Sequence, residues 1–301
     1  VASANCGLYC GASVDFVDVD PNTALMSVKA LESKLEQAKQ QSKLPKILIP
    51  VHFAGQSCDM KAISKLGEKY NFRIIEDAAH AIGSSYLNKN VGSCQYSDIT
   101  VFSFHPVKVI TTGEGGAALT NNLEVAKKMQ LLRSHGITRD SKEMTNSIVS
   151  DWYYEQISLG FNYRMTDFQA ALGISQLSRL DEYVAKRSKI AHWYDDQFEN
   201  IPVNSLIQKE SGESSYHLYV IRVKNREGER DRLYKYLRKG GIYVNLHYIP
   251  IYRQPFFNRK IRLLGAEEYY KSAISLPIFP TIGKNNLKKV MQKFSEFYEH
   301  Y

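Results

Sequence analysis

The chain is poor in the features that would assign it to several large classes of protein. It has four cysteines in 301 residues (Cys6, Cys10, Cys58 and Cys94), and their spacing forms no double pair of zinc-ligand type. A disulfide framework is unusual at this size, so the thiols read as free groups of a reducing cytoplasm. No metal site is expected. No apolar run approaches the eighteen or so residues that a membrane-spanning helix needs, and no signal-peptide pattern opens the sequence. No block of lysine and arginine concentrates the net charge of +8, which argues against a nucleic-acid stripe and suits a small phosphate-bearing molecule equally well. Internal repeats and low-complexity tracts are also missing. The glycine-rich run Gly113-Glu114-Gly115-Gly116 follows a lysine turn and precedes a strand. A dinucleotide fingerprint needs a strand before it and a helix after it, so that reading fails.

What is present is an alternation of apolar strands and amphipathic helices. Strands are expected at Val14–Val19, Ile47–Phe53, Phe72–Ile75, Ile99–Phe104 and Ala117–Leu119, with helices at Ser27–Gln40, Met60–Tyr70 and Asn122–Ser134 between them. Near-continuous apolar strands separated by helices predict an α/β fold with a mainly parallel sheet covered on both faces. A long helix is expected from about Thr166 to Phe198, with Thr166 or Asp167 as its N-cap. Beyond it, a strand Tyr216–Val223, a charged helix Arg226–Lys239, a strand Ile242–His247 and a closing helix Leu287–Tyr298 suggest a small α+β domain. The expected division is therefore 1–185 for the large domain, ending in the interdomain helix, and 186–301 for the small one.

The chemistry concentrates in the stretch SDITVFSFHPVKVITTGEGGAALT, residues 97–120. A buried strand there delivers a single lysine, Lys108, flanked by apolar residues and by glycines that let backbone approach a ligand. Desolvation lowers an ammonium pKa, which makes such a lysine a candidate for imine chemistry. Asp77 closes the apolar strand FRIIED and lies 31 residues before Lys108, one strand away in a parallel sheet. Taken alone, Asp77 also reads as a helix N-cap and Lys108 as a solvated strand-end lysine. Together they are the acid and amine that pyridoxal phosphate chemistry requires: the acid keeps a pyridine nitrogen protonated, and the amine holds an aldehyde and moves a proton.

The segments EDAAHAIG, SDITVFSFHPVKVITTGEGGAALTNN, RSHGI and LGFNYRMTDFQAALGISQLSRLD together resemble the DegT/StrS-type sugar-nucleotide aminotransferases, which are fold type I pyridoxal phosphate enzymes. The resemblance runs over essentially the whole chain. It implies that Lys108 carries the pyridoxal 5'-phosphate, that Asp77 pairs with its ring nitrogen, and that His80 lies beside the ring or phenolic oxygen, where many relatives carry glutamine. It further implies that Ser103 donates to the phosphate and that Asn162 reaches the phosphate of a neighbouring subunit, giving a homodimer with shared active sites. Arg164 would place the donor carboxylate or the sugar phosphates, and His247 and Tyr248 would line the sugar-nucleotide side. Read from the residues alone, His80 can equally be a satisfied core histidine, and His247 an edge-strand residue.

Within the family, YHLYVIRV, GGIYVNLHYIPIYRQPFF and AEEYYKSAISLPIFP are most like the branch that aminates C4 of a UDP-linked 4-keto-6-deoxy-N-acetylaltrosamine for pseudaminic acid biosynthesis. L-Glutamate is the amino donor that this implies. A 4-keto-arabinose or perosamine precursor as substrate, and a non-catalytic ligand-binding relative, stay open as alternatives. Family members carry a Ser-Gly-Thr phosphate-binding turn at a helix N-terminus upstream of the segment that Val1-Ala2-Ser3-Ala4 resembles, so the chain is expected to be an N-terminally truncated member.

Overall fold

The structure, a computed structural model, describes residues 1–146, 150–224 and 228–300. In chain order the elements are α1 (Ala2–Tyr9), α2 (Val28–Gln40), β1 (Ile47–Leu48), α3 (Met60–Tyr70), β2 (Arg73–Asp77), β3 (Ser85–Tyr86), β4 (Lys89–Asn90), β5 (Ile99–Ser103), β6 (Gly116–Leu119) and α4 (Leu123–Arg133). They continue with β7 (Ile137–Thr138), β8 (Glu155–Gln156), α5 (Asp167–Leu177), α6 (Leu180–Phe198), β9 (Val203–Ser205), β10 (Tyr219–Val223), α7 (Glu229–Lys239), α8 (Leu264–Ser272), β11 (Ala273–Leu276) and α9 (Lys284–His300).

A four-stranded sheet in the order β1-β2-β5-β6 carries the site. β1 and β2 run parallel, as do β2 and β5, with Asp77 level with Val101. β6 returns antiparallel to β5, Ser103 opposite Gly116, because only the lysine turn and no crossover helix joins them. Three antiparallel strands, in the order β11-β10-β9, form the second sheet.

Two large apolar cores hold these sheets, beside a small cluster of Ala78, Ala81 and Phe102. The first gathers Leu31, Leu35, Met60, Ile63, Leu66 and Ile74 under the parallel strands, and it also takes in Leu206, Val220, Tyr269 and Ala273 from the C-terminal part. The second is built on β10, α7, α9 and the far end of α6, around Tyr194, Ile221, Leu233, Ile274, Phe294 and Phe297. α3 buries Met60, Ile63, Leu66, Gly67 and Tyr70 along one stripe, and Asp59 caps it by accepting from Ala62 N at 3.2 Å.

Several expected elements take other forms. Val14–Val19 is no strand. Only Val19 bridges Met26, and the neighbouring Asp18 carboxylate accepts the N–H groups of Gly265 and Ala266, both at 2.9 Å, at the start of α8. The segment Ile242–His247 likewise contributes a single bridge, Asn245 to Ser275. The long helix is two helices, α5 and α6, broken at Ser178-Arg179; Thr166 caps α5 in a reciprocal capping box with Gln169. The charged helix begins at Glu229, and the expected start at Arg226 lies outside the described residues.

Phe294 is wholly buried, its ring meeting Phe198 edge to face with centroids 5.0 Å apart. Phe294→Ala is expected to lower stability by about 3–5 kcal/mol in chemical denaturation. A loss under about 1 kcal/mol would mean that this core is not packed as described.

Candidate active site

The site lies beyond the carboxyl ends of β2 and β5, the usual place for a ligand in an open α/β sheet. Below it, the residue before Asp77 anchors β2. Glu76 is buried and accepts hydrogen bonds from His52 Nε2 at 2.6 Å, from Thr100 Oγ1 at 3.1 Å and from Ser97 Oγ. Burial works against its charge, but these donors hold the carboxyl below its ordinary range. Asp77, on the other face of the strand, is half-buried. Its Oδ2 accepts from Ser3 Oγ at 2.6 Å and its Oδ1 from Ala79 N at 3.1 Å.

Lys108 sits in the turn that joins β5 to β6. Its N–H donates to His105 O at 2.9 Å, and Thr112 N and Thr111 Oγ1 both reach Phe104 O, at 3.0 and 2.9 Å. Gly115 completes the turn with a positive φ of 154°, where an added Cβ would strike Thr112 Oγ1 and Met165. Lys108 is half-buried, and burial lowers its ammonium pKa from the ordinary lysine value while the Asp77 carboxylate pulls it back up.

His80 is buried against Phe53, Tyr248 and His217. Its Nδ1 accepts from Ala54 N at 3.4 Å and its Nε2 lies 3.5 Å from Tyr248 Oη. Desolvation first, then the charges of Lys108 and His247, push its pKa down to about 3. His247 is tied through Nδ1 to Ser275 Oγ at 2.8 Å, and burial and Lys108 lower its pKa too. Tyr248, about half exposed, has its phenol pushed up by burial and by the charge of Asp77. Asp77, His80, Lys108, His247 and Tyr248 therefore converge in one cleft. Among the described residues, no three histidines, cysteines or carboxylates are grouped to hold a metal ion.

Three expected residues make no hydrogen bond with that group. Ser103 ends β5, its Oγ accepting from His105 N at 3.4 Å. Asn162 and Arg164 are exposed, in a segment bridged to Ser134 and surrounded by exposed Leu159, Phe161, Tyr163 and Phe168.

Two residues at the site had no expected role. Ser3 lies in α1, and no motif points from it to Asp77. His217 stands in the quoted segment YHLYVIRV, yet only the fold shows that its ring packs on His80, with centroids 4.3 Å apart.

A carboxylate and a lysine thus follow the carboxyl ends of two adjacent parallel strands. The DegT/DnrJ/EryC1/StrS aminotransferase profile matches residues 1–295. The chain belongs to this aminotransferase family. It is 40% identical over 294 residues to a UDP-4-amino-4,6-dideoxy-N-acetyl-beta-L-altrosamine transaminase of Campylobacter jejuni, covering 96% of this chain and 74% of that protein. It is 33% identical to the spore coat polysaccharide biosynthesis protein SpsC of Bacillus subtilis, covering 97% and 75%. Among solved structures it resembles Helicobacter pylori PseC, an aminotransferase of pseudaminic acid biosynthesis, with a TM-score of 0.89 and 31% identity over 100% of this chain and 78% of that one. The PLP form of the sugar aminotransferase Spr1654 of Streptococcus pneumoniae matches with a TM-score of 0.86 and 29% identity, over 99% and 78%. The family's cofactor is pyridoxal 5'-phosphate. The residues here fit it: a desolvated amine faces a carboxylate that retains free acceptor sites, beside a neutral imidazole.

The depressed pKa of His80 makes stability depend on pH. Below about 6.5 the unfolded chain takes up a proton that the folded chain refuses until about 3, so stability falls as pH falls through that window. Between pH 7 and pH 5, His80→Gln is expected to lose about 2 kcal/mol less stability than the parent chain, read from denaturation midpoints at the two pH values. Equal losses in the two proteins would refute the assignment.

Proposed function

We propose that this aminotransferase converts a UDP-linked 4-keto-6-deoxy-N-acetylaltrosamine to its 4-amino sugar, with L-glutamate as amino donor. The observation that carries the reading is the convergence of Lys108 and Asp77 at the ends of β2 and β5 in a chain of this family. The substrate rests on the likeness to the Campylobacter transaminase and to PseC.

Bound pyridoxal phosphate supplies an electron sink for the carbanion formed at the amino donor's α-carbon. The chain's own residues do the rest. Lys108 holds the cofactor's aldehyde carbon through Nζ. Lys108 Nζ would also move the proton at the donor's α-carbon, and its lowered pKa keeps more of it in the basic form. Asp77 keeps the ring nitrogen protonated, and Ser3 Oγ fixes the rotation of its carboxylate. His80 presents Nε2–H to the ring's phenolic side, since its Nδ1 is taken by Ala54 N–H. Ser103 donates to the phosphate; His247 and Tyr248 bound the sugar side, and Arg164 places the donor carboxylate or the sugar phosphates.

A homodimer completes the site in this reading, with Asn162 of each copy reaching the phosphate of the other. The exposed apolar side chains Leu159, Phe161, Tyr163, Phe168 and Ile174 support it, since a surface of this kind is normally covered by a partner. We place the enzyme in the cytoplasm, in keeping with four free cysteines. We divide the chain into a large domain of residues 1–185 and a small one of 186–301; the second core, drawn from Ile190 to Phe297, supports the small domain.

Borohydride reduction of the cofactor-loaded chain followed by peptide mapping is expected to place the label on Lys108. Lys108→Ala should abolish labelling and lower amination of the ketosugar by about 10²–10⁴-fold. A label on another lysine, or labelling that survives in Lys108→Ala, would overturn the assignment. In sedimentation, Leu159→Asp combined with Phe168→Asp should weaken self-association by about tenfold or more; an unchanged dimer would place the interface elsewhere.

A further inference from the structure

His217 is 6% exposed, and its Nδ1 is buried without a hydrogen-bond partner. Buried polar atoms are nearly always satisfied, so a histidine left in this state calls for a reason. An apolar side chain would fill the space without stranding a nitrogen. The backbone around it is held firmly. The Arg187 guanidinium, itself buried, donates through Nη1 to the carbonyls of Tyr216, His217 and Ile278 at 3.1, 3.3 and 2.9 Å. Ser215 Oγ donates to His80 O at 3.1 Å, and Ser215 N to Gly55 O at 3.1 Å. Gly55 permits this approach: its φ is 103°, and an added Cβ would lie 2.8 Å from Ser215 Oγ and from Tyr216 N. Residues 215–217 of the C-terminal part are thus clamped against the His80 segment, and what they bring to it is the face of the His217 ring.

We propose that His217 is a positioning residue that fixes His80 as an Nε2–H donor into the cleft beside Lys108. The His80 ring lies between Phe53, His217 and Tyr248, so turning it over would break the Ala54 N–H contact and disturb three ring packings. The charged groups acting on His80 are Lys108 and His247, and those acting on His217 are His80, Lys108, Arg187 and His247. All are basic, and no carboxylate among the described residues hydrogen-bonds either ring. Burial and these neighbours drive the pKa of His217 well below the ordinary value, so neither imidazole accepts a second proton near neutrality. With its single proton on Nε2, His80 can donate where the cofactor's phenolic oxygen would lie but cannot compete with Lys108 for the migrating proton. This deepens the function proposed above and rests on it only for the group that the donor faces.

The test is the tautomer of His80, read without cofactor by long-range proton–nitrogen correlation on chain carrying ¹⁵N-histidine, between pH 5 and 8. His80→Gln identifies the signal. The parent chain should show His80 as the Nε2–H form throughout the range. His217→Leu and His217→Gln both remove the packed ring, and either one that folds is decisive. In them at least about a tenth of His80 should appear as the Nδ1–H form or titrate within the range, whereas His217→Phe, which keeps a ring, should retain the parent pattern. Pyridoxal 5'-phosphate should bind about tenfold more weakly to the ring-less variants. An Nδ1–H form in the parent chain, or an unchanged His80 pattern in a folded ring-less variant, would overturn the proposal. A parent chain that shows the Nε2–H form but binds no pyridoxal phosphate would count against the cofactor reading and leave the positioning role standing.

Discussion

The parallel pairing of β2 with β5 is the constraint on which the rest of the site depends. It sets Asp77 level with Val101, so the carboxylate leaves the sheet at the same end as the turn that carries Lys108. A parallel pair sends both chain exits the same way, which an antiparallel pair would not. The buried bonds of Glu76 to His52, Ser97 and Thr100 hold that register from below, because a one-residue slip would exchange Glu76 with Asp77 between the two faces. Alternation along a single strand thus gives one acid to the scaffold and the next to the chemistry.

The electrostatics of the cleft are lopsided. One carboxylate, Asp77, supports the charge of Lys108, and every histidine there is pushed toward its neutral form. Burial is the largest cause in each case, with Lys108 adding to it. A site with few protons to spare favours proton movement through the one amine that still titrates usefully. The C-terminal part is no passive cover: His217, His247 and Tyr248 all come from it, and the first apolar core runs through both parts of the chain.

Much of this arrangement was legible in the sequence, and the reasons are local. The apolar strands ending in Asp77 and Ser103 announce themselves by composition, and the lysine turn by its glycines and threonines. The helix start was readable as a cap at Thr166 or Asp167, and the structure puts it at Thr166. Val14–Val19 misled because an apolar run says nothing about whether a neighbouring strand is there to pair with it. The break at Ser178-Arg179 escaped because apolar periodicity continues across it. His217 and Ser3 could not be found from spacing at all, since the contacts that define them, to His80 and Asp77, span 137 and 74 residues.

The central claim is that Lys108 is a desolvated amine whose charge is supported by Asp77. Its most direct test is competitive labelling of the chain's lysines with an amine-reactive reagent across pH, resolved by peptide mass. Lys108 should titrate below the solvent-exposed lysines, and Asp77→Asn should lower its midpoint further, because the carboxylate is what raises it. A Lys108 that titrates with the surface lysines, or that is indifferent to the loss of Asp77, would contradict the account.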